Sequence, residues 1–397
     1  MKPARIDPPQ AAHDDAEEGS PRTNASPRRG PGHSAPRGRT ALRRLPVWAV
    51  GLAVTAVAVW VGFLADGTPA GPAAEDPGKF LVTVLDAVTF AGLLFVAASG
   101  FTLIFGLMRT VNMAHGSLFL LAAYLAIRVQ EAMFGQSRNI EPAQVGVLDW
   151  LVPMLAGAGV AAVAGLAIQQ LFLQWNEGQE LRQALMTLAL TVVLADQMLR
   201  EFGGLAQTMV WPGAITHFFS VQGERYPVTR LFILGVAVLV GMLLWLWLTR
   251  TGMGTVIRAG VDDREMVRGL GINIKLVFAI TFFVGSFLAG VGGVLGASFA
   301  GAAPGTDGNW LLNSLVVVIV GGLGSLRGAA AGSLLYGTVV AFSPAYLPSE
   351  YSYYVAFRIA QRVVVMADGQ QVTAGTPAQV RGDPHVHRIY LGTEAPV

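Results

Sequence analysis

The sequence predicts an all-α fold, a polytopic transmembrane helical bundle of about nine spans with a disordered N-terminal tail and a short non-membrane C-terminal tail. Three observations predict it. Apolar residues make up 53% of the chain and charged residues only 13%, where a soluble domain carries about 25% charged residues. The apolar residues gather in runs of about 20, the length that crosses a bilayer. Glycine is abundant, at 48 residues, which suits close helix–helix packing in lipid.

Met1–Pro46 is rich in Pro, Gly, Ser and Arg with few large apolar residues and reads as a disordered basic tail. Val47–Ala65 is the first expected span. It lies too far from the N-terminus for a signal peptide, and Arg43 and Arg44 before it favour a cytoplasmic N-terminus. Further spans are expected near Phe80–Gly106, Ala114–Val129, Leu151–Leu173, Leu185–Phe202, Leu231–Leu248, Ile274–Ala300, Leu311–Gly324 and Ala329–Tyr346. With the N-terminus inside, Lys and Arg are the more numerous on the cytoplasmic side even without the tail, through Arg109, Arg182, Arg250–Lys275 and Arg327.

The stretch Gly252–Glu265 is a charged loop caught between two apolar runs, so it has to sit at a membrane face. Arg250, Arg258, Arg264, Arg268 and Lys275 mark that face as cytoplasmic. Asp262 followed by Glu265 resembles a capping box that starts a short helix through Leu270, ended by Gly271. Such a helix is a docking element for a soluble partner. In the next span Gly285, Ala289, Gly293, Ala297 and Gly301 recur every four residues. That small-residue face serves either packing within the subunit or a subunit interface.

The chemistry that is missing also bounds function. The chain has no cysteine, hence neither disulfides nor thiolate metal sites. It has no phosphate loop and no HExxH. His13, His33, His115, His217, His385 and His387 form no metal cluster, and the basic tail lacks the interleaved aromatics of a nucleic-acid binder. No enzyme and no cofactor are expected. If ATP drives transport, another subunit hydrolyses it.

Three segments carry a resemblance. They are FVAASGFTLIFGLMRTVNMAHGSLFLLAAY (Phe95–Tyr124), GTVIRAGVDDREMVRGLGIN (Gly254–Asn273) and LLNSLVVVIVGGLGSLRGAAAGSLLYG (Leu311–Gly337). Together they resemble the permease of branched-chain amino acid ABC importers, over about Leu81–Phe357. The resemblance implies an inner-membrane, multi-pass permease paired with a second, related permease. Two cytoplasmic ATPase subunits and an extracytoplasmic binding protein complete the importer. Arg258, Asp262, Asp263, Glu265 and Arg268 then fall in the loop that contacts the ATPase. Asn112, His115 and Gly116 match the family's asparagine-x-alanine-histidine-glycine turn, which serves either as passage or gate lining or as a structural turn. Gly321, Gly322, Gly324 and Gly328 read as a tight turn between spans, and Asp86 and Asp196 are ionisable groups in apolar segments. Two alternatives stand beside this reading, a urea or short-amide importer permease and a rearranged, non-transporting membrane protein.

The C-terminus departs from that family. After Ser352-Tyr353-Tyr354-Val355-Ala356-Phe357 a further apolar span is expected, but Arg358–Gly392 instead resembles the end of the ATPase subunit of the same importer type, including a strand pair around Ala367-Asp368-Gly369-Gln370. It brings none of the ATPase's catalytic motifs. The sequence therefore divides into a tail (1–46), a permease domain (47–357) and an ATPase-like fragment (358–397). A tenth crossing through Arg358 and Arg362 would cost roughly 2.5–3.5 kcal/mol per Arg.

Overall fold

A computed structural model describes residues 76–108, 112–176, 178–346, 363–367 and 370–375. The basic tail and the first expected span, Val47–Ala65, lie outside the described residues, as does most of the ATPase-like fragment.

The described chain is built from α1 (Pro77–Met108), α2 (Ala114–Phe134), α3 (Val147–Ile168), α4 (Glu180–Phe202), α5 (Val228–Arg250), α6 (Gly252–Asp262), α7 (Arg264–Gly269), α8 (Ile274–Ala300), α9 (Thr306–Gly321) and α10 (Leu326–Tyr346). Two small antiparallel hairpins accompany them: β1 (Phe218–Val221) with β2 (Glu224–Pro227), and β3 (Val363–Ala367) with β4 (Gln370–Gly375). The second hairpin stands where the sequence places a strand pair.

Among the described residues five helices are long and apolar enough to cross a membrane, at Pro77–Met108, Ala114–Phe134, Val147–Asn176, Val228–Arg250 and Ile274–Ala300. The count rises to six if α9 and α10, bent by 115° at their junction, form one broken span. Eight of the nine expected spans fall on described residues, and the shortfall among these has local reasons. Helix α4 is interrupted by Gln183, Asp196, Gln197 and Arg200, and α9 has only 16 residues.

Helix α8 is the centre of the bundle, and its small residues show why. A Cβ on Gly285 would stand 2.7 Å from Ile104 of α1, and one on Gly290 2.6 Å from the Cα of Ala158 of α3. At Gly293 it would collide with the carbonyl oxygen of Phe119 of α2. Ala289 and Ala297 are buried on the same helix. Helices α1, α2 and α3 thus close on α8 to a distance only small residues allow.

Helices α9 and α10 join at Gly322-Leu323-Gly324-Ser325, where Gly322 (φ 92°) and Gly324 (φ 77°) take left-handed conformations open to glycine. The Cα of Gly324 packs on Gly106 near the end of α1, while Gly337 meets Ala87 and Ala91, and Phe342 meets Phe80 at 5.8 Å between ring centres. Helix α10 therefore runs antiparallel to α1 along nearly its whole length.

The charged insertion is a pair of helices rather than a loop with one. Thr251 caps α6, accepting from the Gly254 N–H at 3.1 Å. Asp263, not Asp262, caps α7, accepting from the Met266 N–H at 3.0 Å. The reason is backbone geometry. Asp263 has the extended φ of −147° that a cap requires, whereas Asp262 still belongs to α6. Glu265 turns to Arg268 at 3.6 Å instead of completing a capping box.

Candidate functional site

Two places on this framework gather the residues the sequence singles out. The first is the turn that starts α2. Asn112 is 3% exposed and His115 2%. Asn112 Oδ1 accepts from the Ala114 N–H at 3.1 Å, which fixes the orientation of the amide. His115 Nε2 lies 3.1 Å from the carbonyl oxygen of Ala97. A carbonyl only accepts, so this network assigns the proton to Nε2. The ring meets Phe101 edge-on at 5.3 Å. Ala97 sits about three turns inside α1, so α2 begins at depth within the bundle and not at its surface. A Cβ on Gly116 would run into the carbonyl oxygen of Asp307 at the start of α9.

Residues that the sequence did not single out complete this place. Thr187 Oγ1, on α4, accepts from the Met113 N–H at 3.1 Å. Ser117 donates to Asp307 Oδ2 at 3.2 Å, and Asp307 is buried. At the end of α3 the chain makes a π turn, Gln169–Leu173, in which Gln169 is fully buried and neither side-chain polar atom has a hydrogen-bond partner among the described residues. A cavity of about 10 Å³ is lined by Asn112, Gln183 and Thr187 together with Ile104, Met108, Leu173 and Phe282. The sequence carried a weak signal for Asp307, an acid placed just before an apolar run. It carried none for the π turn, which depends on how α3 packs.

The second place is the face formed by α6 and α7. Arg258, Asp262, Asp263, Glu265 and Arg268 are all exposed there, while Ile257 and Val267 are buried beneath them. The Arg264 guanidinium donates to the Met108 carbonyl at 3.0 Å, and Val261 packs against Gly324. This face thus touches the end of α1 and the α9–α10 turn. Met108, whose carbonyl Arg264 holds, also lines the cavity beside Asn112.

The two acids in apolar segments behave differently. Asp86 pairs with Arg230, both about one-third exposed. Arg230 also lies 5.7 Å from the ring centres of Tyr226 and Phe299. The Tyr226 hydroxyl shares a 3.1 Å hydrogen bond with Thr89, and burial pushes its pKa above the ordinary tyrosine value. Asp196 forms a 3.3 Å pair with Arg200 that is largely exposed.

Residues 83–364 match the family described as branched-chain amino acid transport system / permease component. Residues 373–396 match the family described as branched-chain amino acid ATP-binding cassette transporter. The high-affinity branched-chain amino acid transport system permease protein LivH of Escherichia coli K12 is 24% identical over 319 residues, covering 78% of this chain and 98% of LivH. BraD of Pseudomonas aeruginosa, of the same description, is 24% identical over 315 residues, with the same coverage of 78% and 98%. A probable LivH of Methanocaldococcus jannaschii is 26% identical over 272 residues, covering 67% of this chain and 81% of the relative. No solved structure matches. The family match spans most of the chain, and the chain belongs to the permease components of branched-chain amino acid transport systems.

Proposed function

We propose that this chain is the permease of an ATP-driven importer that carries leucine, isoleucine and valine across the inner membrane. The observation that carries the proposal is the family match along 83–364, over a bundle with a charged two-helix face and a buried polar turn. The chain is a transport subunit, and ATP hydrolysis belongs to partner subunits. Those partners are a second related permease, two cytoplasmic ATPases and an extracytoplasmic binding protein.

In this reading the N-terminus is cytoplasmic and the chain crosses about nine times. Two features support counting α4 and α10 among the crossings. Helix α4 runs beside α2, with Phe202 stacked on Tyr124 at 4.5 Å and Thr187 bonded to Met113. Helix α10 follows α1 from Gly106 to Phe80. The permease domain extends over 47–357, with an ATPase-like fragment at 358–397. Arg258, Asp262, Asp263, Glu265 and Arg268 couple to the ATPases, and Asn112, His115 and Gly116 line the gate. Gly285, Ala289, Gly293 and Ala297 hold the bundle together.

The test is uptake of labelled leucine in cells lacking their own importer, with this chain and its partner subunits supplied. Uptake suppressed by valine supports the proposal. No uptake despite protein in the membrane, with labelled urea entering instead, replaces it with a urea or amide carrier. Arg258→Glu and Glu265→Arg should weaken co-purification of the ATPases while membrane insertion persists. Undiminished co-purification by both variants removes the coupling assignment.

A further inference from the structure

Helix α9 carries an amide where hydrocarbon is expected. Its first two turns lie deep in the bundle. The Asp307 carbonyl abuts Gly116, and the Trp310 ring stacks on Phe119 at 4.7 Å and lies 6.3 Å from the ring of Phe90 on α1. Helix α1 has 32 residues and is about 48 Å long. Centred on a hydrocarbon core of about 30 Å, it overhangs by about 9 Å at each end. Phe90, about 20 Å from the start of α1, therefore lies about 10 Å inside hydrocarbon. Asn309 stands between Asp307 and Trp310 in sequence and shares that depth, yet it is exposed on the outer face of α9. Leu312, Val316 and Ile319 continue the same face at helical spacing and are exposed as well. Beside Asn309 the face is open to close approach, since a Cβ on Gly305 or Gly308 would meet nothing within 4 Å. The outer faces of α3 and α5 differ. They expose Val152, Leu155 and Val163, and Val238, Leu239 and Met242, all of which lipid can cover.

We propose that this outer face of α9 is the seam on which the second, related permease docks. The proposal rests on the importer reading above and deepens it by giving that partner a surface. An amide turned toward lipid has nothing to bond with and is costly at this depth, so protein covers it. Of the partners named above, only the second permease enters hydrocarbon. The chemistry that recognises the seam is that of a membrane helix. It brings a polar side chain or a free carbonyl to the depth of Asn309, comes close over Gly305 and Gly308, and lays apolar side chains on Leu312, Val316 and Ile319.

The experiment places the photocrosslinker p-benzoylphenylalanine at position 312 or 316, and at 163 or 238 as controls, in the full chain assembled with its partner subunits in membranes. Irradiation should join positions 312 and 316 to the second permease and the control positions to lipid alone. With the crosslinker at 316, Asn309→Leu should lower the yield of that adduct about three- to tenfold by removing the polar contact. Asn309→Gln, which keeps the amide, should lower it less. Adducts confined to this chain's own Val47–Ala65 segment, adducts with a second copy of this chain, or lipid adducts alone at all four positions overturn the seam. Equal permease adducts at the controls, or a yield that Asn309→Leu leaves unchanged, overturn it too. Co-purification of the two permeases through a tag, without irradiation, is scored separately. Co-purification without the α9 adducts sinks the seam alone, whereas loss of both co-purification and leucine uptake sinks the importer reading on which the seam rests.

Discussion

Gly116→Ala tests whether the α2 turn is built against α9 as closely as the structure shows. The new methyl would overlap the carbonyl oxygen of Asp307 and lie 3.0 Å from the Cβ of Leu311. The first obstacle is backbone, which cannot rotate aside, so α9 has to shift. Overpacking of this kind costs about 1–3 kcal/mol. A shift of α9 also stretches the 3.2 Å bond from Ser117 to Asp307, and a lost hydrogen bond costs about 1 kcal/mol more. The expected total is therefore about 2–4 kcal/mol. Gly159→Ala on α3 is the matched control, because its added methyl meets nothing within 4 Å. Thermal unfolding in nanodiscs, followed by tryptophan fluorescence, should show a clear loss of apparent melting temperature for Gly116→Ala and little or none for Gly159→Ala. Equal melting temperatures for Gly116→Ala and the parent chain would refute the reasoning.

Further outcomes follow from other contacts. Asp263→Ala should speed amide hydrogen exchange across Arg264–Gly269 by removing a cap worth about 1 kcal/mol, whereas Asp262→Ala should leave that segment unchanged; the reverse pattern would reassign the cap. A double-mutant cycle on Asp86→Ala and Arg230→Ala should give a coupling of about 1 kcal/mol in unfolding measurements, and additive effects would show that the pair contributes nothing. Tyr226→Phe should destabilise by about 1 kcal/mol through loss of the Thr89 bond. The folded Tyr226 has its pKa raised by burial, so its contribution is complete below the ordinary tyrosine pKa of about 10 and is lost as pH rises through the folded value. An alkaline titration of stability should therefore be shallower in Tyr226→Phe than in the parent.

Much of this architecture was legible because hydrocarbon is a strict solvent. Runs such as Ile274–Ala300 and Leu231–Leu248 have few other fates, and the structure returns them with their ends shifted by a few residues at most. The Asn112–Gly116 turn was legible as well, since its motif carried the family resemblance. Local detail was harder. Asp262 and Asp263 are chemically equivalent caps, and only the backbone angle at the end of α6 decides between them. The partners of the turn lie on helices distant in sequence, so nothing near Asn112 announces Gln183, Thr187 or Phe282. Leu185–Phe202 reads as an ordinary span, yet polar residues such as Gln183, Asp196, Gln197 and Arg200 set α4 apart from the five long apolar helices.

The pairing of α10 with α1 also governs how the chain is made. Phe80 and Phe342 meet at 5.8 Å although about 260 residues of sequence separate them. At a synthesis rate of about 5–20 residues per second, α1 enters the membrane some 10–50 s before its partner exists. During that interval the surface of Ala87, Ala91 and Gly106 has no helix of its own to meet. Until α10 emerges, lipid or an insertion factor has to occupy that groove, which makes the unfinished permease the stage most exposed to wrong helix pairing and to proteolysis.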